Sequence, residues 1–392
     1  MTVVGGILIG IPVAVALYAY AGYPCLLLLL GWRRRPLPEF GDPAAWPTVS
    51  ICLPAYNEQA SIGATIESLL ALDYPPDCKQ VLVVSDASTD RTDDIVLGFA
   101  ARGVELLRLP VRGGKTSAEN AAIAKLRGEI VVNCDATIRI PPTSLKPLIR
   151  VFQEASIGLA SGRDVSVGAF TSEHTRGESG YVGYEMWLRS LETRVGSIVG
   201  ASGCFYAIRR HLMEEGFPDG LSRDFASALI VREHGFRAVS VEAAVCLVPR
   251  SEGLGPEYRR KVRTLTRGLQ TLWYKRSLLN PFRYGGFAWM LLSHKLVRWL
   301  VFPALPMGLV GLVLLSAEWR WARLALVATT VLLGFGLLTS RWRGRRVPFP
   351  VAILGYLSMA SLAGLTAWCK ALQGARNSIW EPTRRSHAAT PH

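Results

Sequence analysis

Two short apolar runs in this chain each end in an acid: Val81-Leu82-Val83-Val84-Ser85-Asp86 and Glu129-Ile130-Val131-Val132-Asn133-Cys134-Asp135. Short β-branched and aliphatic runs between polar boundaries read as strands buried on both faces, as inside a parallel sheet. Asp86 and Asp135 then lie at the carboxyl ends of their strands, the edge of an open α/β sheet where ligands bind. An unpaired acid is costly to bury. Carboxylates in that position are therefore assigned to holding something polar rather than to the core.

The elements that must position them follow from pattern. Val49 to Leu53 reads as a first strand ending at Pro54-Ala55-Tyr56-Asn57-Glu58, and Ser61 to Ala71 as a helix with Ile62, Ile66, Leu69 and Leu70 on one face. After the strand ending at Asp86, either Asp90 or Thr92 caps a helix through Ala101. A third strand (Val104 to Leu109), the turn Arg112-Gly113-Gly114 and a helix from Thr116 to Leu126 lead to the strand ending at Asp135. Strands alternating with helices at this spacing imply a doubly wound parallel sheet with right-handed crossovers. Further on the pattern is mixed: strands at Gly158 to Val165, Ala201 to Ile208 and Ala238 to Val248, and helices at Glu178 to Arg194 and from Asp224 to Gly235.

Composition adds a second environment. The chain has 392 residues, long enough for one α/β domain plus accessory segments. Hydrophobic residues make up 50% and charged residues 19%, with a mean hydropathy of +0.25, which points to an integral membrane protein. The net charge of +14 is concentrated at Arg33-Arg34-Arg35, Arg341 to Arg346 and Arg384-Arg385, beside apolar stretches. That distribution fits the positive-inside rule and anionic headgroups, and no groove-reading motif accompanies it, so nucleic acid is not expected as a partner. The seven cysteines form no C-x-x-C and the six His are scattered, which speaks for reduced packing thiols and against a zinc site.

Residues 1–31 are uncharged almost throughout and then meet Trp32-Arg33-Arg34-Arg35, the pattern of a membrane helix with its carboxyl end in the cytosol. A soluble domain is expected over 45–250, and interfacial helices over 255–300. The basic stretch Pro256 to Leu279 alternates Arg259, Arg260, Lys261, Arg263 and Arg267 with Val262, Leu265, Leu269, Leu272 and Trp273, an apolar face suited to the membrane interface. A bundle at 299–372 contains spans near Trp299 to Leu315, Arg323 to Thr339 and Pro350 to Cys369, and a tail occupies 373–392. The topology leaves two alternatives: the last run is re-entrant, or the stretch Phe287 to Leu300 spans.

Six motifs stand in order: P-A-Y-N-E at 54–58, S-D-A-S-T-D at 85–90, K-T-S-A-E-N at 115–120, Asp135, S-G-C-F-Y-A-I-R at 202–209, and Ser222-Arg223-Asp224. In these the chain resembles the membrane-embedded family 2 inverting glycosyltransferases related to cellulose, chitin and hyaluronan synthases, over residues 49–269. The resemblance implies a GT-A-type mixed sheet inserted between transmembrane helices. It also implies a nucleotide-sugar donor, UDP-linked by preference, and a glycan or lipid-linked acceptor. The setting implied is exopolysaccharide or envelope synthesis at a bacterial plasma membrane, with the catalytic domain in the cytosol and membrane lipids as neighbours.

Residue by residue, the resemblance assigns Pro54, Tyr56, Glu58, Asp86, Lys115, Asp135 and Arg263 to the donor. Tyr56 offers a ring face for a pyrimidine, Glu58 and Asp86 accept hydrogen bonds, and Lys115 is a point charge for the diphosphate. Asp135 matches the first acid of the family's D-x-D, which binds Mg²⁺ or Mn²⁺, but Asp135-Ala136-Thr137 has Thr in the second position. Asp224 matches the general base, with Arg223 replacing the usual Glu and facing either Asp224 or solvent. Ser202 and Gly203 are assigned to the acceptor. The processive members' Q-x-x-R-W aligns with Arg260-Lys261-Val262-Arg263-Thr264, which keeps only the cation. Two other readings compete: a membrane-anchored nucleotidyltransferase, which needs a Gly-rich activating loop by the first strand, and a non-catalytic nucleotide-sugar sensor or transport component, which has no use for Asp224.

Overall fold

The computed structural model describes residues 1–167, 173–213, 216–249, 254–339 and 349–375. Its centre is a seven-stranded sheet: β1 (Val49–Ala55), β2 (Lys79–Ser85), β3 (Val104–Arg108), β4 (Ile130–Cys134), β5 (Ile157–Val167), β6 (Phe205–Arg209) and β7 (Arg237–Pro249). The order is β3-β2-β1-β4-β6-β5-β7. β1 to β4 pair in parallel, β6 runs antiparallel to both β4 and β5, and β7 is parallel to β5. The sheet is therefore mixed, doubly wound in its first half as the alternating pattern requires.

Alternation along the strands divides the core between two faces. Ile51 and Leu53 join Ile62, Ile66 and Leu69 of the helix Ile62–Leu70. Cys52, Leu82, Val84 and Val131 point the other way, onto Ala118 and Ala122 of the helix Lys115–Ala122. Continuous apolar runs were the signal of strands covered on both faces, and every residue of β1 and β4 is buried. The following helix, Thr92–Leu97, has Arg91 at its N-cap position, and Asp90, one residue earlier, accepts the Thr92 N–H on its Oδ1 at 3.0 Å.

Two helices are long and apolar enough to cross a membrane among the described residues, Thr2–Gly31 (30 residues) and Gly286–Ser316 (31 residues). The second is continuous through a π-helical turn, Leu292–Val297. It thus merges the stretch expected to lie at the interface, Phe287 to Leu300, with the span expected from Trp299. Helices Arg320–Thr339 and Phe349–Leu372 take up the two remaining apolar runs. The basic residues Arg341 to Arg346 and the tail from Arg376 to Arg385 lie outside the described residues.

The basic helix Leu254–Tyr274 departs from expectation in what covers its apolar face. Val262, Leu269 and Leu272 are buried by protein. The helix packs along Phe349–Leu372, tied by Tyr258 and Thr366 hydroxyls 2.8 Å apart, and Leu272 joins a cluster with Tyr23, Leu188 and Phe225. Of the five apolar residues expected to face lipid, Trp273 alone is exposed, at 72%. A periodicity shows that a face is apolar; it does not show whether lipid or a later helix covers it.

Candidate active site

The carboxyl ends of β1, β2 and β4 open onto one edge, and the backbone there is strained. Asn57 and Ala87, just beyond β1 and β2, hold φ of 52° and 56°, values that non-glycine residues keep only where their surroundings enforce them. The Asn57 side chain helps to enforce this: its Oδ1 accepts the Thr89 N–H at 2.8 Å, while the Asn57 backbone N–H donates to Ser88 Oγ at 3.2 Å. The ends of the two strands are thereby clamped together.

Asp86 is buried and accepts two backbone N–H groups, Gly113 at 2.7 Å and Gly114 at 2.8 Å. Gly114 has a φ of 93°, so a side chain there would be strained. This turn launches the helix Lys115–Ala122, and the carboxylate that fixes the turn thereby fixes Lys115 at the first helical position. Arg112, in the same turn, stacks its guanidinium 3.7 Å from the Tyr56 ring centroid. Tyr56 and Arg112 form a flat, cationic platform at the sheet edge. Glu58 turns back into its own loop, accepting from Ser61 Oγ at 2.6 Å, and Pro54 is buried within β1.

Lys115 reaches across the edge. Its Nζ donates to Asp135 Oδ1 at 2.7 Å and to the Gly203 carbonyl at 2.8 Å, with Glu119 at 4.0 Å. Burial pulls the Lys115 ammonium down, but Asp135, Glu119 and Asp224 outweigh it and hold the ammonium well above its ordinary range. Burial pushes the Glu119 carboxyl up, only partly countered by Lys115 and Arg223.

Asp224 enters from the helix Arg223–Glu233, with Ser222 Oγ donating to its Oδ1 at 2.6 Å. Its Oδ2 packs against Gly203: a Cβ at position 203 would stand 2.5 Å from that oxygen. Only glycine leaves room for the carboxylate. Ser202 is buried and braces this loop, donating to Asp164 Oδ1 at 2.5 Å and accepting the Cys204 N–H at 3.1 Å. Arg223 does not face solvent. It is buried, hydrogen-bonded to Asn120 and stacked 5.2 Å from the Phe217 ring centroid.

From the helix Leu254–Tyr274 comes a cation that sequence reasoning did not assign to the site. Arg267 is buried, donates to Thr116 Oγ1 at 2.9 Å and bonds the Leu221 carbonyl. Burial lowers its guanidinium, opposed by Asp224, Glu119 and Asp219. Arg263, the expected cation, lies one turn earlier and is partly exposed. The signal for Arg267 was available in its spacing of four from Arg263, which puts both on one face. Arg112, Glu119 and Asp164 also went unassigned; Glu119 lay inside a quoted motif.

Among the described residues no three His, Cys, Asp or Glu side chains cluster to cage a metal. Thr137 stands two residues after Asp135, and Lys115 pairs with Asp135 Oδ1. A single carboxylate does suit Mg²⁺ or Mn²⁺ that arrives on a substrate's phosphates, because such ions keep waters and take one or two protein ligands. The residues fit a cation shared with a diphosphate, not one held by protein alone.

The family model described as Glycosyl transferase family 2 matches residues 50–217. An N-acetylglucosaminyltransferase of Rhizobium sp. (strain N33) is 26% identical over 238 residues, 56% of this chain and 52% of the relative. A beta-monoglucosyldiacylglycerol synthase of Nostoc sp. (strain PCC 7120) is 28% identical over 172 residues, 43% of this chain and 37% of the relative. The chain thus spans about half or less of the length of these curated relatives. A solved mannosyltransferase from Pyrobaculum calidifontis, in complex with GDP-Man and Mn²⁺, shares the fold: TM-score 0.71 at 23% identity, covering 94% of this chain and 99% of that one. Residues 50–217 thus match the glycosyl transferase family 2 domain, and the fold that carries them is a GT-A-like α/β fold with a mixed sheet.

Proposed function

We propose that this protein transfers a sugar from a nucleotide-sugar donor, a UDP-sugar by preference, to a hydroxyl of a glycan or lipid-linked acceptor, inverting the anomeric carbon. One observation carries the reading. Three motifs far apart in sequence converge on a single glycine: Lys115 donates to the Gly203 carbonyl, Asp135 pairs with Lys115, and the Asp224 carboxylate packs against the Gly203 Cα. A diphosphate charge carrier and a candidate base both set against one backbone segment are what displacement at an anomeric carbon needs.

In this mechanism the Tyr56–Arg112 platform takes the face of the base, and Asp86 holds the turn that carries Lys115. Lys115 meets the negative charge that grows on the departing diphosphate. A divalent cation held with Asp135 would neutralise further charge on the same leaving group. Asp224 accepts the proton of the acceptor hydroxyl as it attacks from the side opposite the leaving group, a single-base arrangement that gives inversion. Arg267 ties the basic helix to the Thr116 and Leu221 ends of the site. The setting in this reading is a bacterial plasma membrane with the catalytic domain in the cytosol, making envelope or extracellular polysaccharide. The cluster Arg33 to Arg35 directly after the first apolar helix supports that orientation.

The test is to supply the purified full chain, in membranes, with labelled nucleotide sugars and to determine the configuration of any product. Consumption of one donor with inversion is expected. Retention of configuration, or consumption of none above the rate in buffer, would refute the proposal.

A further inference from the structure

A second cluster of ionisable groups lies away from Lys115 and Asp135, where the helix Gly286–Ser316 meets the helix Glu173–Val195. Two carboxylates stand there, each saturated by its own partners. Glu185 pairs with Arg298 Nη2 at 2.5 Å and with His294 Nε2 at 3.3 Å. Glu192 accepts from Tyr23 OH at 2.6 Å and the Val199 N–H at 3.4 Å, and lies 2.6 Å from His294 Nδ1.

Two further cations are left over. Arg189 is nine-tenths buried; its Nη2 donates to the Ala201 carbonyl at 3.2 Å, while its Nε and Nη1 are buried with no hydrogen-bond partner among the described residues. Lys295 is partly exposed, and its Nζ lies 5.6 Å from the Phe225 ring centroid and 3.5 Å from where a Cβ on Gly200 would be. Glu185 attracts it most strongly, Arg189 and Arg298 repel it, and Glu192 adds a weaker attraction. Even with His294 counted as neutral, the cluster holds more cations than carboxylates among the described residues. Buried guanidinium N–H groups without acceptors are costly, and an ionisable group on an apolar membrane-length helix marks a functional site by default.

Both cations converge on the backbone of Gly200 and Ala201, immediately before Ser202 and Gly203. Phe225, beneath Lys295, is the neighbour of Asp224. We propose that Arg189 and Lys295 form an anion subsite for the phosphate group of a lipid-linked acceptor, holding it beside Asp224. The subsite rests on the glycosyltransferase reading and narrows its acceptor to a phosphate-bearing lipid. The guanidinium supplies the two missing donors, the ammonium supplies a mobile charge at the open side, and the apolar surface of Gly286–Ser316 runs on from it for the chain of the lipid.

The experiment titrates the full chain, in phosphatidylcholine nanodiscs, with decyl phosphate, decanol and UDP or GDP by calorimetry. Decyl phosphate is expected to bind, decanol not, and both Arg189→Gln and Lys295→Gln should weaken decyl phosphate at least tenfold with nucleotide affinity within twofold. Arg189→Gln also removes the donor to Ala201 and threatens the fold, so the partly exposed Lys295→Gln is decisive. Unchanged decyl phosphate affinity in Lys295→Gln, or equal binding of decanol, overturns the subsite. Displacement of decyl phosphate by discs made with phosphatidylglycerol gives the site to a bulk headgroup and overturns the acceptor assignment. Loss of nucleotide binding in every form, with the decyl phosphate pattern intact, faults the donor reading and leaves the subsite standing.

Discussion

At the scale of single residues, the site is a set of short-range constraints, and the tightest is at Gly203. A methyl group there meets Asp224 Oδ2 at 2.5 Å, so Gly203→Ala must displace the carboxylate or the loop. A displacement of about 1 Å at a reacting group costs on the order of 10²-fold in rate. Gly203→Ala is accordingly expected to lose about 10²-fold in transfer while binding nucleotide normally, as read by initial rates and calorimetry on one preparation; full turnover would show that the carboxylate has room. The residue types at the sheet edge were legible in the sequence because acids cannot end buried strands without a purpose. Their partners were less so. Nothing in a linear reading says that both Asp86 oxygens are taken by Gly113 and Gly114, that Ser202 is turned inward to Asp164, or that Arg223 stacks on Phe217.

At the scale of elements, strands covered on both faces announced themselves as continuous apolar runs, and the helices between them by spacing of Ile62, Ile66 and Leu69. The helix Gly286–Ser316 was harder to read, because His294, Lys295 and Arg298 look like residues of a wet interface. They are buried or partly buried instead, His294 and Arg298 being paired with Glu185 and Glu192 more than 100 positions away in the chain; pairing at such separation leaves no local pattern. Burial pushes the Glu185 carboxyl up, but Arg298 and His294 outweigh it and hold it well below its ordinary range. A carboxylate with a depressed folded-state pKa stabilises above its unfolded value, and that contribution is lost as pH falls through the folded value. Melting of the wild type in detergent should therefore be steady near neutrality and fall steeply on acidification below about pH 4. Glu185→Gln should lose about 3–5 kcal/mol at pH 7, the cost of breaking a buried pair, and show a shallower acid limb. An acid limb of the same steepness in Glu185→Gln would remove this pair from the junction.

At the scale of the whole molecule, a seven-stranded α/β sheet is joined to two helices of membrane-spanning length. The connection runs through side chains next to the candidate base: Phe225 packs with Trp299 at a ring centroid distance of 6.0 Å, and Arg267 links the basic helix to Thr116. Composition pointed to long apolar helices beside the sheet domain, and two of membrane-spanning length are present among the described residues. The manner of their joining depended on which face of each helix meets which other, information that periodicity does not contain. The central claim is that Asp224 is the base of a sugar transfer carried out by this assembly, and its most direct test is turnover of Asp224→Asn in the full chain. Asn keeps the shape and the helix-end hydrogen bonding but takes no proton. A fall of roughly 10²–10⁴-fold in turnover, with nucleotide affinity hardly changed, is the result predicted; near-normal turnover would contradict it.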